Sequence, residues 1–307
     1  MVRILTNDGL QQGAINKLTS LGFEVVNKHY DKDVLGTTLK EFDILVIRSA
    51  TKVTSDILDQ AQGGKLKLII RAGVGIDNID VPYTTKKGIV VKNTPKASSD
   101  SVAELAIGHM FALARFIAIS NCTMRDGQWN KKKYEGIELG GKTLGIIGMG
   151  RIGRALAKKA EALGMKIIYN DAFGKQNDLS YKFLELDNLL KSSDFISLHV
   201  PYDKEKGSLI RKEQFDIMKD GVYLINCSRG KVVEEAALLD ALDNGKVAGA
   251  GVDVFEEEPT KNEELVNHYK VSVTPHIGAA TKEAQERIGE EVVTTIVDFV
   301  ANNLVTI

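Results

Sequence analysis

One stretch constrains the fold more than any other: Leu144-Gly145-Ile146-Ile147-Gly148-Met149-Gly150-Arg151-Ile152-Gly153-Arg154-Ala155. An apolar run ends at Gly148, the glycines stand at the spacing G-x-G-x-x-G, and Ala155, Leu156, Ala160 and Leu163 then recur at helical period. The pattern predicts a buried strand turning directly into a helix. Gly148 permits the tight turn, Gly150 lets a pyrophosphate approach the backbone, and Gly153 lets helix and strand pack closely. The helix N-terminus offers unpaired N–H groups and a partial positive charge. A second apolar run, Met165 to Tyr169, leads to Asp171, eighteen residues past Gly153. That is close to the interval of roughly 20 residues at which an acid meets an adenosine ribose. The acid would repel a ribose phosphate, so the expected cofactor is NAD.

The chain has 307 residues, enough for two domains, and 43% of them are hydrophobic. A formal net charge of −1 leaves no global basic field of the kind that binds nucleic acid or an anionic membrane, so neither is an expected partner. Cys122 and Cys227 are the only cysteines, without disulfide or metal-site spacing, which suits a reducing cytoplasm; no metal site is expected. The segment Met1 to Asp8 reads as a strand and not a signal peptide. The most apolar helical stretch, Val102 to Ile119, contains Glu104, His109 and Arg115 and reads as a helix buried between protein layers.

Apolar strands alternate with helical patterns twice. The first series runs through Val2–Leu5, Phe23–Val26, Ile44–Ile47 and Leu68–Ile70. The second restarts at Lys142 and continues through Asp194–Val200, Val222–Asn226, Val247–Asp253 and Val271–Thr274. This is an α/β class with two Rossmann-like or flavodoxin-like parallel-sheet domains and a cleft between them. The helix near Ala97–Arg115 would carry the chain from one domain to the other. The last amphipathic helix, Lys282–Val300, has no strand left to pair with and would pack back on the first domain. The expected division is 1–97 plus 280–307, a discontinuous substrate domain, and 98–279, a dinucleotide domain.

Three strand ends supply groups for chemistry: Arg229 after Tyr223-Leu224-Ile225-Asn226, Glu258 after Asp253-Val254-Phe255, and His276 after Val271-Ser272-Val273-Thr274-Pro275. In an open parallel sheet the ligand crevice lies at the carboxyl ends of the strands, so the three are expected to converge. Oxidising a secondary alcohol releases a hydroxyl proton, and imidazole is the side chain that titrates nearest neutrality. His276 would be the base in oxidation and the acid in reduction, Glu258 would fix its tautomer, and Arg229 would grip a carboxylate with its planar fork.

Leu144 to Arg154, Asn226-Cys227-Ser228-Arg229-Gly230, Asp253-Val254-Phe255-Glu256-Glu257-Glu258-Pro259 and Thr274-Pro275-His276-Ile277-Gly278-Ala279 resemble the successive signatures of the D-isomer-specific 2-hydroxyacid dehydrogenases. The resemblance covers nearly the whole chain. It implies Arg229, Glu258 and His276 as the catalytic set. It also implies cofactor contacts at Gly148, Gly150, Arg151, Ile152, Gly153, Asp171, His199, Val200, Cys227, Ser228, Arg229, Asp253, His276, Gly278 and Ala279. A homodimer through the nucleotide-binding domains follows from the same likeness.

Ile47-Arg48-Ser49-Ala50-Thr51-Lys52-Val53-Thr54, Arg71-Ala72-Gly73-Val74-Gly75-Ile76-Asp77-Asn78 and Asn93-Thr94-Pro95 resemble the family members that oxidise 3-phospho-D-glycerate to 3-phosphooxypyruvate in serine synthesis. Val74 and Gly75 would present N–H groups to the substrate carboxylate and Arg48 would meet the phosphate. The resemblance adds a cation of the partner subunit at the position of Lys131, where many relatives have Arg. The longer enzymes of this class carry a serine-binding regulatory domain, and no serine inhibition of that kind is expected here. The alternatives are a glyoxylate or hydroxypyruvate reductase on the same scaffold and an NAD-sensing, corepressor-like binding protein.

Overall fold

In the computed structural model, which describes residues 1–304, the chain divides into two units. One is Met1–Ser98 together with the segment from Ala279 onward, and the other is Ser99–Gly278. The final three positions of the expected range 280–307 lie outside the described residues.

The first unit is built on five strands, β1 (Arg3–Thr6), β2 (Glu24–Asn27), β3 (Ile44–Ile47), β4 (Leu68–Arg71) and β5 (Val90–Asn93), all parallel in the order β2-β1-β3-β4-β5. Successive side chains of a strand point to opposite faces. Ile4, Val46 and Ile70 therefore enter one core, and Leu5, Leu45, Ile47 and Ile69 the other. Both faces are covered, which explains why the central strands read as unbroken apolar runs. The helix Lys282–Leu304 closes the first face by burying Ile288, Val292 and Ile296 beside Ala14 and Leu18 of the helix Gln12–Ser20. β5 had no counterpart among the expected strands. It pairs on one side only, with β4, and its burial alternates between exposed and half-buried residues, so Val90-Val91-Lys92-Asn93 lacks the apolar run of an interior strand.

The second unit holds seven parallel strands: β6 (Thr143–Ile147), β7 (Lys166–Asn170), β8 (Lys182–Phe183), β9 (Phe195–Leu198), β10 (Val222–Asn226), β11 (Val247–Val252) and β12 (Val271–Val273). Their order is β12-β11-β10-β9-β6-β7-β8. The chain winds outward from β6 through β8, then returns to lay β9 on the other side of β6. This is the doubly wound order, with its switch point between β6 and β9. In the first unit the corresponding point lies between β1 and β3.

One expectation is corrected. The apolar stretch Val102 to Ile119 is not a single helix: Ser99–Ala114 ends, Phe116 adopts φ 55°, and a second helix, Ile117–Arg125, leaves at 62°. The break has a non-local cause. Ile137 N–H donates to the Ala114 carbonyl at 2.9 Å, and a Cβ on Gly136 would stand 2.3 Å from that same oxygen. The returning chain takes the carbonyl that would have continued the helical ladder.

Because Ile288 is 2% exposed and packs into the first unit's core, Ile288→Ala should cost about 2–5 kcal/mol of stability. Chemical denaturation followed by circular dichroism checks this. A loss below 1 kcal/mol, on the same scale of large-to-small core changes, would mean the last helix contributes little to that core.

Candidate active site

The glycine turn is built as the dinucleotide reading requires. Gly148 has φ +93°, a conformation that L side chains rarely adopt, and a Cβ there would lie 2.4 Å from the His199 carbonyl oxygen. At Gly153 a Cβ would lie 2.2 Å from the Gly148 carbonyl oxygen, so helix and turn touch without a side chain between them. Gly150 starts the helix Arg151–Ala162 with no side-chain cap, which leaves the first-turn N–H groups of Arg151, Ile152 and Gly153 directed outward. A pyrophosphate is the kind of group such an N-terminus holds.

Asp171 follows β7, and its Oδ2 accepts the Met149 N–H at 2.8 Å while its Oδ1 accepts the Phe173 N–H at 2.9 Å. The acid expected at the ribose therefore also fixes the turn. Across the switch point, His199 and Val200 pack on Gly148. The His199 ring bonds Ser197 Oγ through Nε2 at 2.9 Å, and burial pushes its pKa down to about 4. A ring held neutral by burial has no extra proton to deliver as a general acid.

The loops after β10, β11 and β12 are stitched together. Asp253 N–H donates to the Asn226 carbonyl at 3.0 Å, and Asn226 Nδ2 donates to the Arg229 carbonyl at 2.9 Å. Ser228 is tied to Asn226 Oδ1 through both its N–H and its hydroxyl. A Cβ on Gly230 would lie 1.9 Å from the Phe255 carbonyl, so this glycine allows the Arg229 loop to meet the segment that leads to Glu258. Cys227 is buried, which pushes its thiol well up from the ordinary range, with the Asp253 charge adding to the effect, so the thiolate form is disfavoured.

His276 Nδ1 lies 2.6 Å from Glu258 Oε2, and Glu258 Oε1 accepts the Phe255 N–H at 3.2 Å. Burial raises the Glu258 carboxyl, but the hydrogen bond and charge of His276, the Phe255 N–H and the positive charge of Arg229 together hold it below its ordinary value. Of the three residues expected to converge, His276 and Glu258 meet at this contact, and Arg229 lies near enough for its charge to act on Glu258. His276 itself sits at φ 52°, unusual for a residue with a side chain. Its N–H donates to the Asp253 carbonyl at 2.8 Å, and the Asp253 carboxylate accepts the N–H groups of Ile277 and Gly278 at 2.8 and 2.9 Å. The family resemblance implied Asp253 as a cofactor contact; its clamp on this turn had no signal beyond an aspartate at a strand end. Ala279, the last expected cofactor residue, falls in the first unit, where its carbonyl accepts Gln285 Nε2.

The expected substrate anchors Arg48, Val74 and Gly75 also belong to the first unit. Arg48 follows β3 at the switch point: its N–H donates to Asp8 Oδ2 at 2.7 Å and its carbonyl accepts Asn78 Nδ2 at 2.7 Å. Thr51 completes this clamp, its N–H and hydroxyl both bonding Asp8. The Val74 carbonyl accepts Asn93 Nδ2 at 2.5 Å, with Gly75 next in the chain. Lys131 is exposed on a short 3-10 turn, Lys131–Lys133, in the second unit.

A doubly wound sheet with an open glycine turn at its switch point and an imidazole-carboxylate pair beyond neighbouring strands defines a nicotinamide-dependent oxidoreductase. Residues 107–278 match the NAD binding domain of the D-isomer specific 2-hydroxyacid dehydrogenases. The chain is 48% identical to a hydroxypyruvate reductase of Thermotoga maritima, covering 96% of this chain and 97% of that one. It is 46% identical to a D-3-phosphoglycerate dehydrogenase of Methanocaldococcus jannaschii over 94% of this chain but 56% of the relative, so it spans little more than half the length of that enzyme. Its fold superposes with a TM-score of 0.85 on D-lactate dehydrogenase from Aquifex aeolicus complexed with NAD and lactic acid, at 35% identity and covering 98% and 96% of the two chains. The chain belongs to the D-isomer specific 2-hydroxyacid dehydrogenase family and is an NAD-dependent member of it.

Gly153→Ala forces a methyl group against the Gly148 carbonyl, an overpacking strain of about 1–3 kcal/mol. NADH affinity measured by fluorescence titration should fall about 5- to 150-fold. Unchanged affinity would show that the turn does not hold the pyrophosphate.

Proposed function

We propose that the chain catalyses the NAD-dependent oxidation of 3-phospho-D-glycerate to 3-phosphooxypyruvate, the D-3-phosphoglycerate dehydrogenase reaction. The observation that carries the acid-base part of this reading is the 2.6 Å contact of His276 Nδ1 with Glu258. With Nδ1 held by the carboxylate, Nε2 is the nitrogen that takes the substrate's hydroxyl proton in oxidation and returns it in reduction. Glu258 orients the ring and favours its protonated form. Arg229 orients the substrate carboxylate and polarises the reacting oxygen. NAD, when bound over the glycine turn with Asp171 at its ribose, supplies the acceptor for the hydride. Support for a phosphorylated substrate comes from Arg48, whose backbone is pinned at the first unit's switch point by Asp8 and Asn78, so that a cationic side chain starts from a fixed main chain where open α/β sheets take ligands.

We further infer a homodimer through the nucleotide-binding units. The helix Ile117–Arg125 buries none of its residues, and Ile117, Met124 and Trp129 are exposed, an apolar arm suited to a second copy. Lys131 of the second copy would then add a charge near the substrate phosphate.

The relationship to the Thermotoga hydroxypyruvate reductase, spanning nearly the full length of both chains, favours a second reading in which unphosphorylated hydroxypyruvate or glyoxylate is the substrate. A panel of phosphorylated and unphosphorylated 2-hydroxy and 2-keto acids, followed by NADH absorbance, separates the two. Arg48→Ala should raise KM for the phosphorylated substrate about tenfold or more, consistent with loss of a charge-assisted contact, and leave hydroxypyruvate kinetics nearly unchanged. Equal effects on both would remove Arg48 from the phosphate site. An NAD-sensing protein without turnover would show NADH binding and no activity on any member of the panel, an outcome at odds with an intact imidazole-carboxylate pair.

Glu258→Gln removes the negative partner that helps hold a proton on the dyad. Reduction needs that proton and oxidation needs its absence, so the alkaline limb of reduction and the acid limb of oxidation should both move to lower pH. Superimposable wild-type and variant pH-rate profiles would count against the pairing.

A further inference from the structure

We propose that His109, in the helix Ser99–Ala114, is a positioning residue for the turn that carries His276. Its side chain is buried, and both ring nitrogens are engaged: Nδ1 lies 2.9 Å from Ser272 Oγ and Nε2 lies 3.1 Å from Thr274 Oγ1. Thr274 Oγ1 in turn lies 2.6 Å from Asp253 Oδ1.

The chemistry of these groups gives the chain a direction. A carboxylate only accepts, so the Thr274 hydroxyl donates to Asp253. The Thr274 oxygen then receives the N–H of His109 Nε2, which leaves Nδ1 as the acceptor for the Ser272 hydroxyl. Burial lowers the His109 pKa, with the Asp253 charge acting in the opposite sense, and the ring is neutral in this arrangement. The chain runs Ser272 to His109 to Thr274 to Asp253, and each donation leaves the next group a single choice. Its end point is the same carboxylate that accepts the Ile277 and Gly278 N–H groups, on the residue whose carbonyl accepts the His276 N–H.

The neighbouring strand is adapted to this ring. A Cβ on Gly251 of β11 would stand 2.6 Å from His109 Cβ, so the glycine makes the room the imidazole occupies. Without the ring, the Thr274 hydroxyl has no donor to fix it, and the left-handed backbone of His276 at φ 52° loses one of its restraints.

This inference rests on His276 being the acid-base group, and the experiment keeps the two separable. Steady-state keto-acid reduction and NADH affinity by fluorescence are measured for wild type, His109→Leu, His109→Gln, Thr274→Val, the His109→Leu/Thr274→Val double variant and His276→Ala. His109→Leu should lower kcat about 10- to 100-fold, the scale of a misplacement of up to about 1 Å, with NADH affinity essentially unchanged. His109→Gln, whose amide N–H can stand in for Nε2, should recover most of the loss. The double variant should be no worse than the poorer single one, because both cut one chain. Should His109→Leu not fold, Thr274→Val decides, since it breaks the same link.

Wild-type kcat in His109→Leu, a glutamine no better than leucine, or additive losses in the double variant would each overturn the inference. His276→Ala should lose about 100- to 10,000-fold. If it does not, the acid-base reading fails; if it does while His109→Leu behaves as wild type, only the role of His109 fails.

Discussion

His276 holds a backbone conformation that costs a residue with a β-carbon roughly 1–2 kcal/mol, and the rest of the site depends on the carboxylate that keeps it there. Asp253 is 1% exposed and accepts from Thr274 Oγ1, Ile277 N–H and Gly278 N–H at 2.6, 2.8 and 2.9 Å. Hydrogen bonds to a charged group contribute about 1.5–3 kcal/mol each, so three of them outweigh the strain. The dependence runs both ways. A carboxylate buried without donors would be strongly destabilising, and the turn supplies the donors only when it bends as it does.

The same device recurs beyond three strands of these sheets. Asp8 after β1 accepts the Arg48 and Thr51 N–H groups beyond β3, and Asp171 after β7 accepts the Met149 N–H beyond β6. Asp253 after β11 does the same for the segment beyond β12. A backbone that leaves a sheet loses its ladder partners at the carboxyl edge, and its N–H groups must find acceptors. A short acid on the neighbouring strand provides one without adding secondary structure. It leaves the remaining side chains, Arg48 in one unit and His276 in the other, projecting from fixed backbone.

The features legible in the sequence were those whose cause is local. The strand, the spacing of Gly148, Gly150 and Gly153 and the following helix form one short-range pattern, and the parallel sheets follow from alternating apolar runs. The meeting of Glu258 and His276, with the charge of Arg229 acting on the carboxylate, was legible because parallel strands in register end at the same edge. What escaped was decided by distant partners. The helix break at Phe116 is set by Gly136 and Ile137, some twenty residues later in the chain. His109 read as one polar residue in an apolar helix, and its partners Ser272 and Thr274 lie on the last strand of the unit and just beyond it. Nothing in Thr274-Pro275-His276 announces a left-handed histidine, because that conformation is imposed by Asp253 and is not a preference of the residue.

In the proposed reading, the double use of Asp171 ties cofactor preference to loop shape. Asp171 Oδ2 accepts Met149 N–H at 2.8 Å and Gln176 Nε2 at 3.2 Å, while Oδ1 accepts Phe173 N–H at 2.9 Å, so the carboxylate is already held when a ribose arrives. In the proposed reading it meets the ribose hydroxyls with the lone pairs that remain, and its fixed charge disfavours a phosphate at that position. Replacing it by a neutral or basic side chain would remove the repulsion but would also release Met149 N–H, directly beside Gly148 with its φ of +93°. On that reading, tolerance of a ribose phosphate and the geometry of the glycine turn cannot be changed independently at this one residue. A route to altered cofactor preference that keeps the turn intact has to supply positive charge from elsewhere, and Lys175, exposed four residues further on, is a cation already near that position in the chain.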